Sequence, residues 1–407
     1  MKRTTCTFLS CCLLTTAGIR HATAAPIQDF TDVVWTAPVA DLWPPVPFAF
    51  TPDESAIAAP GDDGTLKFWR VSDGLLLRSL PLNGGTKGLA LSPDGTLYAN
   101  SGGSIVLART SDGTTVSQVQ NRATDQVVFS PDGALLASRD NGNYGAVSVR
   151  LWSVNDGLKP ITNLSVSWPE AIAFSPDAKL LAAGSWAAGV NLFAVSNYSL
   201  ARVLLSSGKI SNIVSLAFSP DSRYLAISCA SLYLWGDTWY PFGVVVCRVA
   251  DGAVMWSRPD GGQGVSFSPD GRTFLSAGDL ISLTSAQSGN PYMEYYYPID
   301  PDPYEDGFDA WGALFSPSGR YYALTVWGLP ILVLSRTPLW ISETSRGPTG
   351  TALRWSGGTG LYQVQQSTDL GPGAWQNVGI PTTNTSQTVL TTNPATFFRI
   401  QSLTNAP

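Results

Sequence analysis

Two aromatic and acidic stretches carry the side chains best suited to ligand binding. The first, ASLYLWGDTWYPFG, covers residues 230–243, and the second, MEYYYPIDPDPYEDGFDAWG, covers residues 293–312. Flat aromatic faces offer stacking area at a low entropy cost, and carboxylates accept hydrogen bonds from hydroxyl groups and attract cations. Sugar rings, basic peptide segments and amines all suit such a surface. The candidate residues are Tyr233, Trp235, Asp237, Trp239, Tyr240, Tyr295, Tyr297, Asp300, Asp302, Tyr304 and Trp311.

The same residues allow other interpretations. Asp300 and Asp302 match two ligand positions of a calcium loop, but Tyr304 and Glu305 occupy the next two and prolines stiffen the run. No cofactor is therefore predicted, with Ca²⁺ as the alternative. Paired carboxylates also serve glycoside hydrolysis, although the sequence does not fix their separation. The structural alternative is that the aromatic side chains pack on one another and the acids form their solvated rim.

Histidine chemistry is excluded if the first 24 residues are removed. Residues 1–24 have a positive start, a short apolar stretch and a small-residue end, which is typical of a secretory signal peptide. His21, the only histidine, lies within it, so the mature chain could not build Ser-His-Asp or Cys-His nucleophiles or histidine zinc sites. We therefore expect a secreted, periplasmic or cell-surface protein that is more readily a binding protein than an enzyme.

The mature chain would keep two cysteines, Cys229 and Cys247. An oxidising compartment and predicted neighbouring strands favour a disulfide between them. The alternative is two small buried side chains whose registers do not meet.

The composition favours an all-β protein with many turns. The chain of 407 residues is 44% hydrophobic and 13% charged, against about 25% charged residues in a typical soluble domain. Glycine, proline, serine, threonine and aromatic residues fill the difference. The net charge is −6 without a basic stripe, which excludes nucleic acid as a partner. No later segment is long and apolar enough for membrane insertion.

A repeated pentapeptide organises most of the chain. Its copies are FTPDE at 50, LSPDG at 91, FSPDG at 129, FSPDA at 174, FSPDS at 218, FSPDG at 267 and FSPSG at 315. Successive prolines are separated by 41, 38, 45, 44, 49 and 48 residues. A period of this length, built from short strands and turns, predicts a β-propeller.

The pentapeptide itself is predicted to be a type I turn, with proline second, aspartate third and glycine fourth. Ser318 replaces the aspartate in the seventh copy, which indicates a turn-stabilising role for the acid and argues against a ligand. Glu54, Ala178 and Ser222 stand at the fourth position, where a required positive φ would strain them. The variation predicts a turn that most residues can enter.

The order FSPDG, then LLAS, then LW resembles WD40-like propellers over about residues 40–345. The chain departs from the family at the Gly-His pair, which has no histidine, and at the Trp-Asp pair, which reads Trp69-Arg70 or Trp152-Ser153. The resemblance implies seven blades of four antiparallel strands over residues 25–346. The strand that closes the ring would come from VVWTA at 33–37 or PLWISE at 338–343.

The resemblance also places the two aromatic stretches. Residues 230–243 would form a long loop between the second and third strands of repeat five, and residues 293–312 a long crossover from repeat six to repeat seven. Both would lie on the face opposite the FSPDG turns. Other aromatic residues, including Trp186 and Trp327, are expected in the core or at the rim.

A composition shift near Arg346 begins a second unit, residues 347–407. Its segments YQVQQSTDL, AWQNVG and ATFFRI are similar to small fibronectin-III-like modules at the C-termini of secreted bacterial proteins. The predicted architecture is thus all-β, a seven-bladed propeller followed by a small β-sandwich-like domain. We expect non-catalytic binding or scaffolding toward a protein or polysaccharide partner. The alternative is an extracellular carboxylate-dependent enzyme acting on glycans or lactones.

Overall fold

The computed structural model describes most of the repeat region and the strands beyond it. The described residues are 33–37, 47–83, 85, 87–120, 124–140, 148–186, 189–205, 210–234, 238–240, 243–258, 262–278, 280–296, 310–326, 331–335, 340–347, 350–356, 361–367, 376–382, 386–389 and 397–403. Among them, no helix reaches the length and apolarity needed to cross a membrane. The predicted signal peptide lies outside the described residues.

The described regular structure consists of short β-strands. Before the first blade comes β1 (Val33–Ala37). The first three blades hold β2 (Ala49–Phe50), β3 (Ala56–Pro60), β4 (Thr65–Arg70) and β5 (Leu76–Pro81); β6 (Gly88–Leu91), β7 (Leu97–Ser101), β8 (Ser104–Arg109) and β9 (Thr115–Gln120); and β10 (Thr124–Phe129), β11 (Leu135–Asp140), β12 (Ser148–Ser153) and β13 (Lys159–Ser165). Blades four and five hold β14 (Pro169–Phe174), β15 (Leu180–Ser185), β16 (Gly189–Ala194) and β17 (Leu200–Leu204); and β18 (Ile210–Phe218), β19 (Tyr224–Leu234), β20 (Thr238–Tyr240), β21 (Gly243–Arg248) and β22 (Val254–Arg258). Blades six and seven hold β23 (Gly264–Phe267), β24 (Thr273–Ala277), β25 (Leu280–Ser285) and β26 (Pro291–Tyr296); and β27 (Ala310–Phe315), β28 (Tyr321–Val326) and β29 (Ile331–Ser335).

These strands form a seven-bladed β-propeller, as the repeat predicted. Each blade is an antiparallel sheet in chain order, and the first strands of neighbouring blades contact each other around the axis. Blade seven takes its outer strand from β1, which pairs with β29 through Thr36 opposite Leu332. Of the two segments considered for ring closure, VVWTA at 33–37 therefore closes the ring. PLWISE does not, because its strand pairs elsewhere.

That other pairing belongs to the C-terminal strands. These are β30 (Trp340–Gly347), β31 (Gly350–Ser356), β32 (Leu361–Ser367), β33 (Gln376–Thr382), β34 (Ser386–Val389) and β35 (Phe397–Leu403). They form two three-stranded antiparallel sheets, β30-β31-β34 and β33-β32-β35. The predicted domain boundary at residue 346 falls inside β30, whose hairpin with β31 turns at Gly347 and Gly350.

The propeller is held together by apolar clusters between blades. The described residues form seven of them, and each joins the inner strands of two adjacent blades. Second strands supply small side chains with no exposed surface, such as Ala58, Ala137 and Ala226. Small residues are needed there because adjacent wedges converge toward the axis and leave little room. The cluster of Phe50, Ile57 and Val333 joins blade seven to blade one.

The cysteines lie in neighbouring strands but their registers do not meet, so the possible disulfide does not form and the alternative of two small buried side chains holds. Cys229 on β19 lies opposite Gly243, and Cys247 on β21 lies opposite Leu225. The ladder thus separates them by about four residues, or roughly 13 Å, far beyond the Cα distance of about 4–7 Å that a disulfide spans. Both side chains are buried in the core cluster between blades four and five. Burial raises the pKa of the Cys247 thiol to about 12.

The pentapeptide forms the predicted turn between the first and second strands. In the third copy the Gly133 N–H donates to the Ser130 carbonyl at 2.8 Å. The carboxylate of Asp132 accepts from the Ser130 hydroxyl at 2.5 Å and from the Ala134 N–H at 3.0 Å. In the seventh copy the Ser318 hydroxyl accepts from the Arg320 N–H at 3.1 Å. The aspartate therefore stabilises the turn, as predicted, and serine can replace it because only an acceptor is needed.

The fourth position of the turn overturns a second prediction. All seven copies take a left-handed conformation there, with φ from 56° to 73°: Glu54, Gly95, Gly133, Ala178, Ser222, Gly271 and Gly319. Only glycine enters this region without a steric cost. The turn is therefore not one that most residues enter freely, and Glu54, Ala178 and Ser222 are held there by the surrounding blade.

Glu54 and Ser222 each form a hydrogen bond to a neighbouring blade from this strained position. Glu54 Oε2 accepts from the Ser318 N–H at 2.7 Å, which links blade one to blade seven. The Ser222 hydroxyl accepts from the Asp177 N–H at 3.1 Å, which links blade five to blade four. The side chain of Ala178 offers no such bond, so its strain has no evident compensation.

Candidate functional site

Because the strands within each blade run antiparallel, successive connections lie on opposite faces of the propeller. The turn face carries the pentapeptide turns and the connections between third and fourth strands. The loop face, at the other strand ends, carries the connections between second and third strands and the crossovers between blades.

Five of the sequence-predicted candidates lie in described strands, on segments that reach the loop face. Tyr233 lies in β19, Trp239 and Tyr240 lie in β20, Tyr295 lies in β26 and Trp311 lies in β27. The other candidates lie outside the described residues: Trp235, Asp237, Tyr297, Asp300, Asp302 and Tyr304.

The predicted long loop of repeat five is a β-ribbon instead. Strand β19 has 11 residues, and β20 pairs back on its end with Tyr233 opposite Trp239. The second strands of blades three and four have 6 residues each, so β19 extends about five residues, or roughly 17 Å, past them.

In four blades the first strand has a β-bulge near its beginning, at the loop face. The register shifts around Asp125 in β10, Glu170 in β14, Val214 in β18 and Trp311 in β27. A bulge adds one unpaired residue and redirects its side chain. In blades three and four that residue is an acid, and the two acids share one partner.

That partner is Arg139 on β11. Its guanidinium binds the Asp125 carboxylate through two bonds, Nε to Oδ1 at 2.6 Å and Nη2 to Oδ2 at 2.5 Å. Its Nη1 donates to Glu170 Oε2 at 3.0 Å and to the Glu170 carbonyl. All three side chains are half-buried. Burial raises the pKa of Glu170; Arg139 opposes this shift and Asp125 adds to it.

Beside this ion cluster stand two exposed tryptophans. Trp168 precedes β14 and is 58% exposed, and Trp186 follows β15 and is 54% exposed. Trp69 and Trp152 in the core are 3% and 2% exposed. Most of each loop-face indole is therefore available to a partner.

The backbones of both tryptophans are tied into the blades. The Trp186 N–H donates to the Trp168 carbonyl at 2.9 Å, and the Asn212 N–H of blade five donates to the Trp186 carbonyl at 2.8 Å. The Ser185 hydroxyl donates to the Ser167 carbonyl at 2.5 Å. Trp168 also has a φ of 53°, a conformation that a bulky residue rarely adopts. We name Trp168, Trp186 and Asn212 the tryptophan edge.

Residue types alone do not single out the tryptophan edge. Trp186 is expected in the core or at the rim, and its exposure of 54% excludes the core. The position of each tryptophan in the repeat was the available signal. Trp168 directly precedes Pro169, where the first strand of blade four begins, and Trp186 directly follows the second strand of that blade. When the repeats are aligned, the beginning of a first strand and the end of a second strand both lie at the loop face. Trp327 lies outside the described residues.

The turn face has a cleft between blades five and six, with a volume of about 380 Å³. Its walls include Tyr224, Met255 and Phe267, and its acids are Asp221 and Asp270. Both carboxylates already accept bonds within their own turns, from the preceding serine hydroxyl and a following backbone N–H. The cleft therefore follows from the repeated turn, and we do not take it as the site. Among the described residues, no three His, Cys, Asp or Glu side chains gather as metal ligands.

Comparison with known proteins gives the fold and no family. No family model and no curated protein matches the sequence. Many solved chains are similar in structure. One is Kuenenia stuttgartiensis hydrazine synthase, with a TM-score of 0.59 and 13% identity over 77% of this chain and 99% of that chain. At this identity the similarity shows the propeller fold alone.

Proposed function

We propose that this protein is a secreted, non-catalytic binding or scaffold protein that recognises a protein or polysaccharide partner through the loop face. One observation supports this most strongly, the exposure of Trp168 and Trp186 side by side on a rigid frame. An indole has only two side-chain torsions, and a backbone that is fixed before binding further limits the entropy lost when a partner covers it. Tryptophan is also enriched among the residues that dominate binding energy.

The surrounding structure supports recognition without catalysis. Arg139 pairs with both Asp125 and Glu170 and joins blade three to blade four, so this ion cluster holds the face in shape. The ribbon of β19 and β20 extends from the same face in the next blade. Loops and ribbons on a rigid scaffold are common positions for binding residues.

A retention experiment tests this proposal. Purified protein beginning at Ala25 is immobilised and exposed to cell-envelope and extracellular-matrix extracts of the source organism. The double variant Trp168→Ala/Trp186→Ala is compared with Leu75→Ala, which removes an apolar side chain of similar exposure, 53%, at the turn face. We expect the native protein and Leu75→Ala to retain the same partner and the double variant to lose it. Equal recovery by all three would remove the tryptophan edge as the binding surface, and with it the observation that carries this proposal.

A second candidate is an extracellular enzyme that uses carboxylates on glycans or lactones. The gathering of Asp125 and Glu170 around one guanidinium favours it, because two carboxyl groups can divide acid and base roles, and burial raises the pKa of Glu170. Turnover of a glycan or lactone panel that Glu170→Gln abolishes would establish the enzyme. Absence of turnover in the native protein would leave the binding proposal.

The export and C-terminal predictions belong to the same proposal. Cleavage after Ala24 predicts that the exported protein begins at Ala25, which N-terminal sequencing of the extracellular protein measures. A fibronectin-III-like C-terminal unit would act as a spacer or attachment module. Deleting residues 340–407, which removes β30 together with its partner strands, should then leave partner affinity unchanged while altering localisation.

A further inference from the structure

We propose that the ligand of the tryptophan edge is a neutral polysaccharide, whose sugar rings stack on Trp168 and Trp186. This inference rests on the proposed function and names the chemistry of its partner.

Backbone strain at Trp168 is the first argument. The residue before a proline is already restricted, and a bulky side chain at a φ of 53° adds a further cost. Strained conformations cluster at binding sites, where the surrounding structure fixes them. The bond from the Trp186 N–H to the Trp168 carbonyl fixes this one. Its effect is to hold a large aromatic side chain at the surface, where it contributes little to the core.

The polar surroundings of the two indoles are the second argument. Every other exposed large apolar residue among those the structure describes lies on or beside a fourth strand, at the circumference: Leu75, Leu76, Leu77, Val116, Ile161, Leu200, Val203, Val254 and Met255. A protein interface needs a fully buried apolar core around its aromatic anchors. The described polar residues next to them along the chain or across the backbone pairing include the exposed Ser167, the half-buried Glu170 and the half-buried Asn212. Separate aromatic platforms among hydrogen-bonding groups suit sugar rings, whose C–H faces stack while their hydroxyls bind polar groups.

The charge beside the tryptophan edge is the third argument, and it favours neutral sugars over anionic ones. Among the residues that the structure describes, Arg139 is the cation beside the tryptophan edge, and its guanidinium is engaged by Asp125 and Glu170. It is therefore not available to pair with sulfate, phosphate or uronate groups. Two carboxylates around one guanidinium would also repel an anionic chain.

Titration calorimetry with neutral hexasaccharides tests the inference. The probes are cellohexaose, chitohexaose, xylohexaose and mannohexaose, with a polygalacturonate hexamer as the anionic comparison. We expect at least one neutral probe to bind and to shift the tryptophan fluorescence, and the anionic probe not to bind. Trp168→Ala and Trp186→Ala should each weaken binding at least tenfold. Trp168→Phe should retain intermediate affinity because it keeps an aromatic face.

Leu200→Ala is the matched control, because Leu200 is 53% exposed but lies at the circumference of blade four. It should bind as the native protein does. Binding that survives both tryptophan substitutions would overturn the inference, as would preference for the anionic probe. If no neutral probe binds while the retention experiment captures a protein through these tryptophans, the glycan inference fails and the proposed function stands. If both experiments fail, so does the proposed function.

Discussion

Ala178→Gly is expected to stabilise the propeller, because Ala178 takes a left-handed conformation in the pentapeptide turn of blade four. Its φ is 56°, and its N–H donates to the Ser175 carbonyl at 2.9 Å to close the turn. The left-handed region costs a residue with a Cβ about 1–2 kcal/mol. Glycine avoids that cost but loses about 0.5–1 kcal/mol more conformational entropy on folding. The net gain is about 0.5–1 kcal/mol, since no side-chain hydrogen bond is lost.

Thermal unfolding followed by circular dichroism measures this gain. For a domain of this size, it corresponds to a rise in the unfolding midpoint of roughly 1–3 °C. Gly133→Ala is the mirror control in blade three, where φ is 71° and an added Cβ would meet only Pro93 at an ordinary 3.7 Å. It should lower the midpoint by a similar amount, because it adds strain without a clash.

Ser222→Gly separates strain from interblade bonding. It relieves the same strain but removes the hydroxyl that accepts from the Asp177 N–H. A hydrogen bond of this kind contributes about 1 kcal/mol, so the midpoint should change little. A midpoint that falls or stays constant in Ala178→Gly, together with no loss in Gly133→Ala, would refute the strain argument.

Four further outcomes are expected. Trp168→Gly should raise the unfolding midpoint by roughly 1–3 °C while abolishing partner retention, because strain and indole are removed together; a fall in the midpoint would contradict this. Arg139→Met should lower the free energy of unfolding by about 2 kcal/mol in urea titration, since two half-buried carboxylates lose their cation; an unchanged midpoint would show that the cluster contributes nothing. Turn bonds lower the pKa of Asp132, so its stabilisation is present above its unfolded pKa and is lost as pH falls through the lower folded value. Asp132→Ser should therefore make unfolding less dependent on pH below about 4. Cys229 and Cys247 should both be alkylated by iodoacetamide after denaturation without reductant, as measured by mass spectrometry; a peptide pair joined by a disulfide would contradict the strand register.

The fold was predictable from the sequence because the pentapeptide counts the blades. Each copy marks the turn between a first and a second strand, so seven copies at nearly constant spacing give seven sheets. The role of Asp132 was predictable for the same reason, since its bonds run to Ser130 and Ala134, close in sequence. Local hydrogen bonds of this kind depend on a few adjacent residues and little else.

Predictions that depended on contacts distant in sequence were less secure. The positive φ of Ala178 is not visible in a residue type that usually avoids it, and only the structure shows that this copy of the turn takes the same conformation as the glycine copies. The disulfide prediction placed Cys229 and Cys247 in adjacent strands correctly, but the register of β19 against β21 keeps them apart. A register is set by the pairing of the whole ladder, and residue types alone leave it open.

The sequence alone determined the all-β class and the number of blades, because both follow from a short motif and its period. Only the tertiary structure decided that Val33–Ala37 closes the ring and that Arg139 joins two acids from different blades. It alone also showed that Trp168 and Trp186 stand exposed together. Each of these depends on which strand ends meet in space, and a repeat with a constant period does not distinguish one strand end from the next.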